Sequence, residues 1–92
     1  MKNRVTLFKA LADETRLNIV EFLLNGEQCV CKIYPTVKRS QSTVSLQLGK
    51  LEDLGILRQR REGKYIYYSI ADSRIKKILS AIGAKNRGKK NG

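Results

Sequence analysis

The most reactive side chains in this sequence belong to Cys29 and Cys31, the only two cysteines in the chain. One residue separates them, whereas small secreted domains are held together by several cysteines at wider spacings. A direct disulfide across one intervening residue would be strained, so the sequence predicts two thiols. The sequence contains no histidine that could act as a general base, and a thiol enzyme is therefore not expected.

A second group of polar side chains, Gln41, Ser42 and Ser45, lies near the start of a predicted helix. A helix that enters the major groove of DNA needs small or hydrogen-bonding side chains on the outer face of its first turns. At 100° per residue, Ser42 and Leu46 fall on the face opposite Val44. An ordinary serine-rich surface helix would look the same in isolation, so the neighbouring features must decide between the two.

The overall charge favours nucleic acid. Nineteen Lys and Arg residues against eight Asp and Glu give a formal net charge of +11 in 92 residues, which is the size of one small domain. Such an excess suits a polyanionic partner. The longest apolar runs are too short to span a bilayer, and the N-terminal residues lack the long apolar core of a signal peptide. We therefore expect no membrane partner and a cytoplasmic location.

Clear signals bound the helix that carries the polar group. Ser40 suits the N-cap position, because its hydroxyl can accept a hydrogen bond from an amide of the first turn. Gly55 suits the left-handed residue after a helix end, with Ile56 folding back onto Leu51 in a Schellman motif, so the helix should stop near Leu54. Its buried face is predicted to consist of Val44, Leu48 and Leu51.

The upstream residues predict two helices and one ambiguous segment. Apolar spacing over residues 5–12 indicates a short first helix, and Asp13 is a candidate N-cap for a second helix that Asn25 and Gly26 end. Residues 27–38 begin with strand-like alternation and then show helical spacing. Because Pro35 lacks an amide hydrogen, the sequence predicts a short, irregular third helix that bends at Pro35 or starts near it and braces the next helix across a turn.

Beyond Gly55 the hydrophobic period changes to two, which predicts a β-hairpin whose turn contains Gly63. A charge-protected edge hairpin is the alternative to a DNA-binding wing. Four positive charges to one negative charge favour the wing. The cations that would reach phosphates or the minor groove are Arg58, Arg60, Arg61 and Lys64.

A terminal helix, capped by Asp72 or Ser73, has an apolar face that is unusual for an exposed helix. Its simplest partner is a second copy of the chain, together with the first helix, so we expect a homodimer. The predicted interface comprises Leu7, Phe8, Leu11, Ile75, Ile78, Leu79 and Ile82. Residues 1–84 would form one DNA-binding and dimerisation domain, and residues 85–92 a disordered basic tail that adds nonspecific DNA affinity.

The motifs A-L-A-D-E-T-R-L, C-V-C, S-Q-S-T-V-S-L-Q-L, L-G-I-L and R-R-E-G-K-Y-I-Y-Y-S-I occur here in one order and spacing. Over residues 5 to about 82 the chain resembles the ArsR/SmtB family of bacterial and archaeal repressors. The resemblance implies a dimeric winged helix that represses transcription at an operator and is released by an inducer such as a metal or metalloid ion.

The resemblance also implies base contacts at Gln41, Ser42, Ser45 and Leu46. Leu46 departs from the family pattern, in which Arg or His is frequent, and would shift readout toward a thymine methyl group. With their neighbours, the predicted DNA-contacting residues of this region are Arg39, Ser40, Gln41, Ser42, Thr43, Ser45, Leu46 and Lys50.

The resemblance further implies an inducer site, since C-V-C is similar to the signature of arsenic-responsive members, whose thiolates hold As(III) or Sb(III). Tyr34 stands where that signature often has a third cysteine, so the ion would need a ligand from solvent, an exogenous thiol or the other subunit. A second family site, on the terminal helix, uses carboxylate and histidine ligands for zinc or cobalt. Asp72 matches one ligand, but Arg74 and Lys85 replace histidines, so this site is not expected to function.

The sequence therefore predicts a mainly α fold with a small β-hairpin, a winged helix-turn-helix of about five helices and a two-stranded wing. The expected function is a dimeric, sequence-specific transcriptional repressor of double-stranded DNA, with no enzyme activity. For Cys29 and Cys31 three interpretations stay open: a site for As(III), Sb(III) or a soft divalent metal, inert packing, and a thiol redox switch. The remaining alternatives are a constitutive DNA-binding regulator and a nonspecific nucleic-acid-binding protein.

Overall fold

The computed structural model describes residues 3–83, so the proposed tail at 85–92 and the domain limit at residue 84 lie outside the described residues. In this range the chain is a winged helix-turn-helix with five α-helices and a small antiparallel sheet. The helices are α1 (Arg4–Leu11), α2 (Glu14–Phe22), α3 (Val30–Val37), α4 (Gln41–Asp53) and α5 (Ser73–Ala81). The strands are β1 (Gln28–Cys29), β2 (Leu57–Glu62) and β3 (Tyr65–Ile70).

The first two helices begin at side-chain caps. The Asn3 Oδ1 accepts a hydrogen bond from the Thr6 amide at 2.9 Å, and the Asp13 carboxylate accepts one from the Arg16 amide at 2.9 Å. Each cap satisfies an amide that has no partner inside its helix. The predicted cap at Asp13 is therefore confirmed.

The third helix differs from the sequence prediction. It begins at Val30, before Pro35, and runs through that proline to Val37. An eight-residue helix has few intrahelical hydrogen bonds, and Pro35 removes only the one that its own amide would have donated to Cys31. Lys38 then takes a left-handed conformation, with φ 57°, and ends the helix. The prediction of a short third helix is confirmed, but the alternative that it starts near Pro35 was wrong.

Helix α4 has the predicted bounds. The Ser40 Oγ accepts a hydrogen bond from the Thr43 amide at 3.1 Å. At the other end, the amides of Ile56 and Gly55 donate to the carbonyls of Leu51 and Glu52 at 3.0 and 2.9 Å. This pair of bonds, with Gly55 at φ 77°, is a Schellman motif.

The hairpin is formed by β2 and β3, with Gly63 at φ 60° in the turn. Its inner face packs on the core, as the period of two predicts, since Leu57, Tyr68 and Ile70 are buried. The structure adds a third strand that the two-stranded prediction did not include. Strand β1 pairs with the other edge of β3, giving the order β1-β3-β2.

One continuous core joins all five helices and the sheet. Helix α4 contributes the predicted residues Val44, Leu48 and Leu51, all buried. Helix α5 contributes Ile75 and Leu79, each fully buried within this single chain. Within residues 3–83, no helix has the length and apolar character needed to cross a membrane.

Candidate nucleic-acid interface

The outer face of α4 is open to solvent. Gln41, Ser42, Ser45 and Leu46 are all exposed, and 58% of the Leu46 surface is accessible. Because the opposite face of the helix is buried in the core, these side chains project away from the protein. The structure thus brings together the four residues for which base contacts are expected.

The polar side chains at the start of α4 differ in whether they already form hydrogen bonds within the protein. The Ser40 hydroxyl caps the helix and donates to the Thr43 Oγ1 at 2.9 Å, and Thr43 is half-buried. The Ser45 Oγ lies 3.3 Å from the Tyr34 hydroxyl of α3. Within residues 3–83 the side chain of Gln41 has no hydrogen-bond partner. Gln41 is therefore the polar side chain most available to a base edge.

The flanking cations lie at different ends of the helix. The Arg39 guanidinium precedes the first turn and is 3.9 Å from the Glu14 carboxylate, a long and exposed ion pair. Lys50 lies nine residues after Gln41, which is about 13 Å along the helix axis. It lines a cavity of about 420 Å³ between α1 and α4. The structure therefore does not place Lys50 with the side chains of the first turn.

Two contacts that sequence reasoning missed hold α4 in place. The Arg16 guanidinium donates to the Ala10 carbonyl at 2.8 Å and to the Gln47 Oε1 at 3.0 Å, so it ties α1 and α2 to α4. The Tyr34–Ser45 hydrogen bond similarly ties α3 to α4. Gln47 is 31 residues from Arg16 in sequence, and no local pattern points to such a pair.

All four cations predicted on the wing are exposed. Within the described residues, Arg58 and Arg61 form no ion pair, and the Lys64 Nζ lies 5.7 Å from the Tyr65 ring centroid. Arg60 differs, because its guanidinium bonds to Glu27 at 2.8 and 2.9 Å and to Glu62 at 2.6 Å. These carboxylates raise the pKa of Arg60, and the Arg60 hydrogen bond holds the pKa of Glu27 below its ordinary value.

The prediction of two free thiols was wrong, because Cys29 and Cys31 form a disulfide. Cys29 is the N-cap of α3 in an extended conformation, and Cys31 lies in the first helical turn. This change of backbone direction places their Cα atoms 5.2 Å apart, within the usual range for a disulfide. The pair borders an open cavity of about 300 Å³ that Glu27, Lys32, Tyr65 and Tyr67 also line.

Neither of the two family metal sites is assembled in the described part of the chain. No group of three His, Cys, Asp or Glu side chains within residues 3–83 is arranged to hold a metal ion. Cys29 and Cys31 supply two sulfurs, and the described residues add no third ligand to them. Asp72 caps α5 and accepts a hydrogen bond from the Arg74 guanidinium at 2.7 Å, so its carboxylate has a structural role. Lys85 lies outside the described residues.

The predicted dimer contacts divide into two groups. The core of the single chain contains Leu7, Leu11, Ile75 and Leu79, so these residues have little surface left for a partner. Part of the apolar face of α5 is thus covered by its own chain, and the homodimer stays a prediction. Phe8 and Ile82 stay exposed, at 56% and 69%, and Ile78 is half-buried. Val5, 53% exposed, was missed although it lies one turn before Phe8.

Known proteins agree with this architecture. A transcriptional repressor, BigR from Xylella fastidiosa, has a solved structure that matches with a TM-score of 0.81 and 32% sequence identity, over 85% of this chain and 80% of that chain. An HTH-type transcriptional regulator of Methanocaldococcus jannaschii is 43% identical over 77 residues, which cover 83% of this chain and 86% of that protein.

The arsenical resistance operon repressor of Escherichia coli K12 is 43% identical over 68 residues, or 73% of this chain. The match spans 58% of that repressor's length. The family model for bacterial regulatory proteins of the arsR family matches residues 13–59, which include α2, α3, the whole of α4 and the start of β2. The chain therefore belongs to the arsR family, whose members are DNA-binding transcriptional repressors and not enzymes.

Proposed function

We propose that this chain acts as a homodimeric repressor that reads one pseudo-palindromic operator with the first turns of α4. The observation that carries the proposal is the division of α4 into a buried face and an exposed face of short polar side chains and Leu46. Such a helix can enter the major groove without moving the core. In a dimer, the two copies of α4 would lie about 34 Å apart, one turn of B-DNA.

Base recognition would rest on three kinds of contact. The Gln41 amide can form paired hydrogen bonds with an adenine edge, and the Ser42 and Ser45 hydroxyls can bond to several bases. Leu46 suits contact with a thymine methyl group. Arg39 and the wing cations Arg58, Arg61 and Lys64, which have no ion pair within residues 3–83, would bind phosphates, and so position the helix without reading sequence.

The dimer contact would use the apolar side chains that stay exposed on α1 and after α5. Val5 and Phe8 lie on one face of α1, and Ile82 follows the last turn of α5. A two-fold axis would pack this patch against its own copy, because a symmetric interface is self-complementary. The buried residues Leu7, Leu11, Ile75 and Leu79 would support the patch from beneath.

The inducer site would be the cysteine pair in its reduced form, since thiolates and not a disulfide bind soft ions. Support comes from the similarity to an arsenical resistance operon repressor. As(III), Sb(III) or a soft divalent metal such as Cd²⁺ would take both sulfurs. Its third ligand would come from solvent, an exogenous thiol or the other subunit.

Operator release is the experiment that tests this proposal. A promoter footprint first locates the site, and arsenite, antimonite or cadmium is then titrated against the reduced protein–operator complex. We expect release from the native protein and none from the variant with Cys29→Ser and Cys31→Ser. Release that persists in the variant would exclude a cysteine sensor. Equal affinity for the promoter site and random duplexes would instead support a nonspecific nucleic-acid-binding protein.

The Cys29–Cys31 disulfide favours a second candidate, in which the chain responds to thiol redox state and needs no metal. Here two thiols would exchange with a small-molecule disulfide, which leaves as two reduced thiols while the protein disulfide forms. Operator affinities of the oxidised and reduced proteins, measured without metal, separate this candidate from the first. Equal affinities, together with no metal response, would indicate a constitutive regulator.

A further inference from the structure

Arg60 is held by carboxylates in a way that no other cation of the wing is. Its Nε and Nη2 donate to the two oxygens of Glu27 at 2.9 and 2.8 Å, and its Nη1 donates to Glu62 at 2.6 Å. The guanidinium carbon also lies 4.6 Å from the centroid of the Tyr67 ring. The paired contact with Glu27 is the fork geometry in which arginine binds either a carboxylate or a phosphate. Glu27 therefore occupies the edge of the guanidinium that a DNA phosphate would use.

The two carboxylates neutralise the charge that Arg60 could offer to a phosphate. The single positive charge of Arg60 faces two carboxylates, whereas Arg61 has no ion pair within residues 3–83. A protein cation contributes to the salt dependence of DNA binding when it replaces counterions on a phosphate. A cation already neutralised by its own protein has no such charge to offer, unless the internal pair breaks first.

The sheet explains why Glu27 reaches the wing, although it lies 33 residues from Arg60. Strand β1 pairs with β3 so that Cys29 is opposite Tyr67, and β2 pairs with β3 so that Arg60 is also opposite Tyr67. Cys29, Tyr67 and Arg60 thus form one row across the three strands. Glu27 immediately precedes β1, two residues before Cys29, and its side chain reaches Arg60 diagonally across β3. Pairing of β1 with β3 therefore brings Glu27 to Arg60 of the wing.

We propose that Glu27 is a positioning residue that withholds Arg60 from the DNA backbone by binding its guanidinium in place of a phosphate. The proposal rests on the proposed function only in that the wing contacts DNA. It assigns Arg58, Arg61 and Lys64 to phosphate contacts and removes Arg60 from that set. Glu27 thereby limits the nonspecific affinity of a strongly basic chain.

The test is the slope of log affinity against log salt, measured by titrating the full-length protein into a random duplex of about 30 base pairs. Arg61→Gln is the positive control and should flatten the slope by about 0.9, the value of one lost phosphate contact. Arg60→Gln alone should leave the slope at its native value. Glu27→Gln should steepen it, by up to about 0.9, because the Nε and Nη2 edge of Arg60 can then bind a phosphate while Nη1 stays with Glu62.

Arg60→Gln alone separates this mechanism from a simple change of net charge, which would flatten the slope. The double variant with Glu27→Gln and Arg60→Gln separates it from the mere loss of an acid that repels phosphate. It has lost the same acid as Glu27→Gln, but it has no arginine to release, so its slope should return to the native value. Equal slopes for the double variant and Glu27→Gln would overturn the proposal. So would a flattening of about 0.9 in Arg60→Gln. The pair is exposed, so its loss should not unfold the chain, and thermal melting of each variant verifies this.

Use of a random duplex separates a failure of the Glu27 proposal from a failure of operator recognition. A random duplex reports only sequence-independent contacts, so these slopes can be measured even if no operator exists. Failure to discriminate a promoter site would contradict the proposed function and leave the Glu27 result intact. Native slopes in all the Arg60 and Glu27 variants would contradict the role of Glu27 without affecting operator recognition.

Discussion

At the scale of single residues, the polar side chains at the start of α4 differ in the hydrogen bonds that they form within the protein. Ser40 and Thr43 are committed to the helix cap, and Ser45 is shared with Tyr34. Gln41 has no such partner in the described part of the chain. A side chain without an internal hydrogen bond can turn toward a base at little cost, so Gln41 is the best candidate for sequence-specific contact.

Replacing Gln41 by Ala should reduce the preference for operator over random DNA by about 1–3 kcal/mol, because a paired contact with one base is lost. Affinity for random duplexes should change much less, since phosphate contacts are retained. Competition binding with both duplexes measures the two quantities. An equal fall in both affinities would mean that the base-reading face is misassigned.

Ser45→Ala needs a matched control, because it removes a possible base contact and also the hydrogen bond to Tyr34. Tyr34→Phe removes only the hydrogen bond. If Ser45 reads a base, Ser45→Ala should lose more operator preference than Tyr34→Phe in the same competition experiment. Equal losses would assign Ser45 to the support of α4 and not to recognition.

At the scale of elements, α5 shows how one residue can begin a helix and stabilise its first turn. The buried Asp72 carboxylate accepts hydrogen bonds from the Arg74 amide at 3.0 Å and from the Arg74 guanidinium at 2.7 Å. The Arg74 side chain is the main reason that the pKa of Asp72 lies below its ordinary value. A carboxyl group with a lowered pKa stabilises the fold when ionised, and this stabilisation is lost as pH falls through the folded-state pKa.

Asp72→Ala should lower the free energy of unfolding by about 1 kcal/mol at neutral pH, since it removes both the cap and the ion pair. Asp72→Asn retains a good cap and removes only the charge, so its loss should be smaller. As pH falls below 3.8, the ordinary pKa of Asp, the native protein loses the charged contribution and should approach the stability of Asp72→Asn. Urea unfolding at several pH values measures this. A constant difference between the two proteins down to the lowest pH would contradict the role of the charge.

At the scale of the whole molecule, three of the five large apolar side chains that are exposed in the described residues, Val5, Phe8 and Ile82, lie on α1 and just after α5. Phe8 and Ile82 are more than half exposed, while Ile75 and Leu79 of α5 are buried in the chain itself and Ile78 is half-buried. The dimer proposal therefore depends on this patch and not on an uncovered helix. A charge placed in the patch should oppose association, because it would be desolvated in the interface.

Phe8→Glu should shift the protein from dimer to monomer in sedimentation at micromolar concentration, and should weaken operator binding, since a monomer engages one half-site. Tyr65→Glu is the matched control, because it places the same charge on an exposed aromatic residue of the wing, away from α1 and α5. The control should sediment as the native protein does. A native protein that is itself monomeric would refute the dimer.

The local features of this fold could be read from the sequence. The caps at Asp13 and Ser40 and the Schellman motif at Gly55 depend on residues within a few positions of one another, so their types and spacing contain the necessary information. The hairpin is similar, because its period of two and its Gly63 turn are local. These signals, with the net charge and the family resemblance, predicted a winged helix-turn-helix that binds DNA.

Only the tertiary structure decided which residues far apart in sequence contact one another. It paired β1 with β3, buried Leu7 and Ile75 in the chain's own core, and placed Glu27 on Arg60 across 33 residues of sequence. It also joined Cys29 to Cys31, because the start of α3 turns the backbone there. Such contacts are set by how elements pack, and packing depends on the whole chain at once. The sequence therefore determined which side chains lie on the exposed face of α4, and the fold decided which wing cation is bound by carboxylates.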